Sequence, residues 1–358
     1  MARAGMLRGL AVVWVGCAGD GPSRVPPLPP LAGQLVWATD AHGALSVWAK
    51  SAPDAVPVRL SPDDGASWFP GPVGAQSQMA LTRAEDGPGE HHWEQLWVRS
   101  ADGILTPASP PARAVRHPRW VADGSLVFGS SENSFRDIYR SVPGGGVLRL
   151  TNHPPGCFEP DIWGENVVMA CSGADVDLRW VALASDVGKE VQEPAVWVQR
   201  IGEDMCPTVH PSGTSLAFVA GQDARLSLWM ARLDAKGAGP VWSPAPDEDI
   251  VPEQGLAWSP DGRALALVVR RQGGQPEVRV LTVVDANGQF ATTALPRAPW
   301  MVGSETPVWA PDGTLFVTHD EGRNADIVRV DVQTGQVEVW ASSEALEWLP
   351  RVWPRATL

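Results

Sequence analysis

Tyrosine is nearly absent from this chain: Tyr139 is the only one in 358 residues, against 18 tryptophans. There is no Gly-x-Ser-x-Gly elbow, the strand-to-helix turn that exposes a serine nucleophile, and no glycine-rich phosphate loop. The cysteines number 4, at spacings that do not match a zinc site. Positive charge is short as well, with Lys+Arg 28 against Asp+Glu 41 and a net charge of −13. An acidic surface repels the phosphates of nucleic acid and of anionic membranes, so nucleic acid is not an expected partner. No cofactor or metal motif is evident. Acid–base chemistry by paired carboxylates stays open, because acids are plentiful and repeats bring distant ones together.

What is present suits a large all-β unit. A hydrophobic share of 44% supports a substantial core, and Gly 36 with Pro 34, spread along the chain, fit many tight turns. The tryptophans imply apolar layers in which each indole N–H needs an acceptor.

The N-terminus reads as an export signal. Met1 to Arg8 carries two arginines and no acid, and Gly9 to Gly16 is apolar but too short for the roughly 20 residues that span a bilayer. Trp14-Val15-Gly16-Cys17 resembles a lipobox, which implies cleavage before Cys17 and lipidation of that cysteine. The expected layout is a signal peptide over 1–16, a Pro-rich tether over 17–33 and one domain over 34–358. Ala18 after the lipidated cysteine points to the outer membrane, by analogy with enterobacterial sorting. Cys157, Cys171 and Cys206 then leave at most one bridge and one free thiol. Cys157 and Cys206 precede the same motif in neighbouring repeats and are the expected pair.

That motif decides the fold. Pro307-Val308-Trp309-Ala310-Pro311-Asp312-Gly313 is echoed by Leu256-Ala257-Trp258-Ser259-Pro260-Asp261-Gly262, and more loosely from Pro118 through Asp123-Gly124 and from Pro207 through Ser212-Gly213. Degenerate copies begin at Pro70, Pro160 and Pro350. The step between copies runs from 42 to 51 residues, the period of propeller blades rather than helical solenoids. After each turn come three short alternating runs, such as Leu315-Phe316-Val317, Asp326-Ile327-Val328-Arg329-Val330 and Gln336-Val337-Glu338-Val339-Trp340. Each period thus supplies four strands. The first blade lacks its innermost strand, and the last copy, at Pro350, has no blade of its own. The expectation is a seven-bladed β-propeller of four-stranded antiparallel blades, closed by the C-terminal strand joining the N-terminal blade.

The Trp-Ser/Ala-Pro-Asp-Gly turns, together with Leu148-Arg149-Leu150-Thr151-Asn152 on an outer strand, resemble TolB-type propeller repeats over most of 34–358. The resemblance implies a periplasm-facing monomer that acts through protein contacts. TolB also carries a separate N-terminal α/β domain, for which Ala18 to Gly33 leaves no room, so a Tol–Pal role is not inherited. Ser61-Pro62-Asp63-Asp64-Gly65-Ala66-Ser67-Trp68 resembles the Asp-box of sialidase-like propellers. That likeness gives Asp63, Gly65 and Trp68 structural turn roles, as Asp123-Gly124, Asp261-Gly262 and Asp312-Gly313 have in theirs. A sialidase would also need a nucleophilic tyrosine, and Tyr139 sits in an alternating strand.

Other groupings read mainly as structure. His92 and Glu94 would share a strand face but lack a third ligand, and Asp175 with Asp177 suits a polar turn better than a calcium site. Glu159, Glu253, Glu305 and Glu347 all fall just before the aligned motif, so they are the candidates for an acidic channel mouth that attracts a basic segment of an envelope protein. The sequence therefore favours a non-catalytic, lipid-anchored binding or scaffold propeller. A small-ligand or glycan-binding propeller with hydrolase activity is the alternative, and a purely structural ring stays open.

Overall fold

The strand Ser215–Gln222 shows how alternation builds the ring. Leu216, Phe218 and Ala220 pack toward the preceding blade, whereas Ala217 and Val219 pack toward the following one. Successive side chains of a strand leave on opposite faces, so one apolar run serves two interfaces. The whole chain repeats this arrangement. Seven buried apolar clusters each join one pair of adjacent blades, including the pair formed by the last blade and the first.

The architecture comes from a computed structural model that describes residues 28–354 other than 42, 75–76, 88–90, 133–134, 184–190, 192, 223–224, 234–236, 284–289, 294–306 and 321–323. The leader, Cys17 and most of the tether lie outside the described residues. Seven antiparallel sheets follow in chain order, each of four strand positions, as the repeat predicts. In blade 1 the strand Glu347–Pro354 is innermost and pairs with Gly33–Thr39, with Leu35 opposite Val352 and Thr39 opposite Glu347. Blades 2, 3, 4 and 5 start with Ser67–Val73, Val115–Trp120, Cys157–Trp163 and Glu203–Val209. Blade 7 starts with Val308–Trp309. Blade 6 splits its innermost strand into Glu248–Ile250 and Leu256–Trp258 around a short 3-10 helix, Pro252–Gln254. These first strands touch one another in sequence and close the ring about a central channel.

The turn chemistry is as the motif demands. Asp123 accepts the backbone N–H of Ser125 at 2.9 Å and Asp312 that of Thr314 at 3.0 Å, each beside a glycine of positive φ, Gly124 and Gly313. The motif tryptophans clip blades together: Trp120, Trp258 and Trp309 donate their indole N–H to carbonyls of Pro72, Thr208 and Ala257 in the preceding blade. Arg329, 1% exposed, holds the Asp312 carboxylate, the Thr314 hydroxyl at 2.9 Å and the Pro29 carbonyl at 2.7 Å.

Three expectations need correction. The disulfide joins Cys157 to Cys171, and Cys206 is free. Cys157 and Cys171 face each other across the first two strands of blade 4, with Cα atoms 4.0 Å apart. Cys157 packs toward blade 3 and Cys206 toward blade 6, so matching motif positions did not make them neighbours. In blade 2 the residue equivalent to Pro118 is Pro72, two later than the repeat spacing gave, because the same one-residue bulge there spans Pro70 to Val73. In the Asp-box-like turn, Asp64 does the work assigned to Asp63. Its Oδ1 accepts the Ala66 N–H at 3.2 Å and the Trp68 indole at 3.1 Å, whereas Asp63 is 87% exposed and pairs with Arg59. An aspartate caps the N–H two residues on, and Gly65 at φ 79° follows Asp64 directly.

Candidate functional site

Every innermost strand that can be followed through carries one extra residue. The register slips by one between Pro70 and Val73, Arg116 and Arg119, Phe158 and Asp161, Met205 and Thr208, and Trp348 and Arg351. The second residue of each bulge is proline, which owes no N–H to the ladder. The residue before it is His117, Glu159, Cys206 or Leu349 in four blades, each held at a φ between 53° and 55°. A left-handed conformation at a non-glycine residue costs about 1–3 kcal/mol and persists only where its surroundings enforce it. Bulges of this kind turn side chains out of the pleat, here at the wall of the channel.

The inner ends of blades 4, 5 and 6 are tied together. Glu159 accepts the backbone N–H of Cys206 at 2.8 Å, and the Cys206 thiol donates to the Pro252 carbonyl at 3.0 Å. Burial pushes the Glu159 carboxyl above its ordinary pKa and the Cys206 thiol well above its own. A cavity of about 460 Å³ opens between blades 1, 2, 3, 6 and 7. That size falls within the range of small-molecule sites.

The cavity wall is basic and aromatic. Blade 3 contributes Arg116, His117 and Arg119, blade 1 Arg351 and Trp348, and blade 2 Phe69. Arg116 and Arg119 are enclosed by the ring yet keep 48% and 42% of their side-chain surface open, and the channel is the water they face. Arg119 is aimed by Asp161, 3.2 Å from its Nε, and Asp161 also accepts the Val209 N–H at 2.7 Å. Arg116 pairs with Glu94, 2% exposed, which in turn takes the Val115 N–H at 2.8 Å. His117 is open to channel water but lies deep in the ring. Its pKa is pushed down to about 3, first by burial and then by Arg119, Arg116 and Arg136, so it is neutral at ordinary pH. Burial and the charge of Arg136 likewise lower the Arg116 pKa.

The four candidate glutamates do not gather among the described residues. Glu253 lines the cavity, from blade 6. Glu159 is spent on Cys206, and Glu347 is 5% exposed and bonded to Trp37 and Ser343. Glu305 lies outside the described residues. His92 lies 3.4 Å from Oε1 of Glu94, whose Oε2 serves Val115 and Arg116. Among the described residues no three His, Cys, Asp or Glu side chains are placed to hold a metal ion. Tyr139 is 3% exposed and stacks on Phe128 with ring centres 6.0 Å apart.

Sequence reading did not single out the arginines of the wall, although a signal existed. Arg119 and Arg351 both directly follow the bulge proline, in Pro118-Arg119 and Pro350-Arg351. The same position is Asp161 in blade 4 and Thr208 in blade 5, so one repeat position carries the channel's charge pattern.

No family model and no curated protein matches the chain. Solved structures do. TolB from Acinetobacter baumannii is similar at TM-score 0.53 and 13% identity, over 90% of this chain and 82% of that one. A puromycin-hydrolyzing peptidase from Mycobacterium tuberculosis is similar at TM-score 0.62 and 16% identity, over 88% of this chain but 52% of its own length. A putative 6-phosphogluconolactonase from Bacteroides fragilis is similar at TM-score 0.57 and 12% identity, over 92% of this chain and 97% of that one. The chain therefore spans about half the length of the peptidase. Its fold is that of TolB-type propellers, as the repeats led one to expect.

Proposed function

We propose that this chain is a non-catalytic binding propeller of the bacterial cell envelope, anchored through a lipid on Cys17, that receives its ligand in the central cavity. The observation that carries the reading is the cavity itself. It opens where strained bulge residues, His117 and Leu349, line the wall, and such outliers cluster at functional sites. Export is supported by the leader and by the Cys157–Cys171 bond, since disulfides persist in oxidising compartments. The glycan-platform alternative draws no support from the tryptophans. Trp348 alone among the described tryptophans lines the cavity, and Trp93, at 37% exposure, is the most open tryptophan among the described residues, so no row of exposed indoles forms a platform.

Two measurements test the reading. Labelled palmitate should enter the wild-type chain and not Cys17→Ser, which should also leave the membrane fraction. A photoreactive residue at Leu349 should crosslink a ligand in intact cells, and one at the exposed outer-strand residue Thr106 should not. Filling the cavity with Val308→Trp should abolish the Leu349 crosslink. Crosslinks that survive the filled cavity would remove the cavity from the reading.

A further inference from the structure

The chain enters the ring on the face of the Asp-Gly turns. In blades 3 and 7 the turns Asp123-Gly124 and Asp312-Gly313 join the innermost strand to the second. In blade 1 the innermost strand ends at Pro354 and the second begins at Gly33, directly opposite it. Gly33 and Pro354 thus stand where the Asp-Gly turn stands in those blades. The approach to Gly33 is clamped to blade 7. Leu28 and Leu31 are buried, with Leu31 packed among Phe316, Ile327 and Trp340. The Pro29 carbonyl accepts a hydrogen bond from Arg329, which also holds the turn residue Asp312.

The cavity lies toward the opposite face, where innermost strands begin and the second and third strands of each blade meet in hairpins. It takes Trp348, Leu349 and Arg351 from Glu347–Pro354 but not Val352 or Trp353. From Val115–Trp120 it takes Val115 to Arg119 but not Trp120. The entry of the chain and the cavity therefore belong to opposite halves of the disc.

The segment between Cys17 and the clamp is short. Leu28 is 11 positions beyond Cys17, a reach of at most about 40 Å even when fully drawn out. To bring the hairpin face to a bilayer, the tether has to pass outward beyond the fourth strand and then along the blade edge. Arg329 sits in the third strand of blade 7, so the first leg is about 5–10 Å. The second, along strands such as the 6-residue Ala325–Val330, is about 20 Å. The two legs leave little slack, and a chain held near full extension loses conformational freedom. With the turn face toward the bilayer the tether keeps its slack. That face also bears the exposed carboxylates of Asp102 and Asp261, which oppose adhesion to anionic headgroups. Tether geometry, not adhesion, then sets the orientation.

We propose that the tether holds the ring with its Asp-Gly turns toward the membrane and its hairpin face, with the cavity, toward the aqueous compartment. This rests on the reading that Cys17 carries the lipid.

Energy transfer from single labels on the lipidated full chain to an acceptor on the headgroups of phosphatidylcholine vesicles tests it. Labels enter through Gln333→Cys and Arg263→Cys on the turn face and through Glu132→Cys and Gln272→Cys on the hairpin face, all exposed positions. Cys206 is buried and does not compete for the label. The turn-face labels should lie about 20 Å nearer the headgroups, the length of a strand. A Gly-Ser insertion of about 20 residues after Asp20 should erase the difference, because the tether then reaches round the rim. Equal distances on the two faces, or hairpin labels nearer, overturn the orientation while leaving the anchor in place. A difference that survives the insertion overturns the tether as its cause. A full chain that fails to float with the vesicles, as Cys17→Ser should, overturns the anchor reading and the orientation with it.

Discussion

The indole N–H of Trp37 donates to the carboxylate of Glu347, 310 positions further along the chain. This bond joins the first described strand to the last inside one blade. Both partners are buried, Trp37 at 4% and Glu347 at 5% exposure. The second Glu347 oxygen accepts the Ser343 hydroxyl at 2.7 Å, so the carboxylate is satisfied on both sides. Burial still pushes its pKa up, and the hydrogen bonds from Ser343 and Trp37 restrain the rise.

Ring closure should therefore be weakened far more by Glu347→Ala than by Glu347→Gln. The alanine strands the buried Trp37 donor, at a cost of about 2 kcal/mol, while the glutamine keeps an acceptor for it. Urea unfolding measures this directly. Equal midpoints for the alanine variant and the wild type would show that strand pairing alone closes the ring.

Much of the ring was legible because its periodicities are local. The alternation of Leu216, Ala217, Phe218 and Val219 states both interfaces of a blade, and the Asp-Gly turns state where strands reverse. The cavity was less legible, for a geometric reason. Which side chains enter the channel is set by a one-residue bulge in the innermost strands of blades 1 to 5, and a bulge inverts the facing of everything beyond it. Glu159 and Arg119 both lie near a bulge proline, yet one bonds Cys206 and the other lines the cavity. The disulfide failed for a related reason: motif position fixes height in the ring, not the side of the blade to which a cysteine points.

Removing the disulfide should cost about 3 kcal/mol, the loop-closure value for a bridge spanning 14 residues. The double variant Cys157→Ala/Cys171→Ala isolates that effect, since it leaves no unpaired thiol in blade 4. Cys206 should stay unreactive toward thiol reagents in the native state, because burial raises its pKa well above the ordinary value. Rapid labelling of Cys206 in a folded Cys17→Ser chain would contradict that placement.

Arg329 and Arg140 occupy the same position in blades 7 and 3, each bonding the aspartate of its own Asp-Gly turn. Their surroundings differ. Asp312 is 20% exposed and Asp123 is 49% exposed, and Arg329 also holds the Pro29 carbonyl. Breaking a buried pair leaves an unmatched charge, so Arg329→Met should destabilise by about 3 kcal/mol and Arg140→Met by clearly less. Thermal denaturation of the two variants under one buffer checks the order, and equal losses would contradict the burial argument.

Asp204 supplies a stability term that depends on pH. Its side chain is fully buried on the innermost strand of blade 5. Arg200 bonds Oδ1 at 3.0 Å, and Oδ2 has no partner. Burial raises its pKa from 3.8 to about 6 in spite of Arg200, with Asp177 and Asp175 adding to the rise. The folded chain therefore binds a proton that the unfolded chain has released between those two values. Stability contributed by the neutral acid is present at low pH and is lost as pH rises toward about 6, after which it is flat. Asp204→Asn keeps the shape without the charge, and Arg200 retains its stacking over Trp229 at 3.7 Å. The variant should thus match the wild type near about pH 4 and exceed it near about pH 8, the gap opening across the titration of this one group. Unfolding curves for both chains across that range test the sign. Parallel pH profiles would mean that Asp204 titrates alike in folded and unfolded chains, and a gap that closes with rising pH would mean that the Arg200 pair outweighs burial.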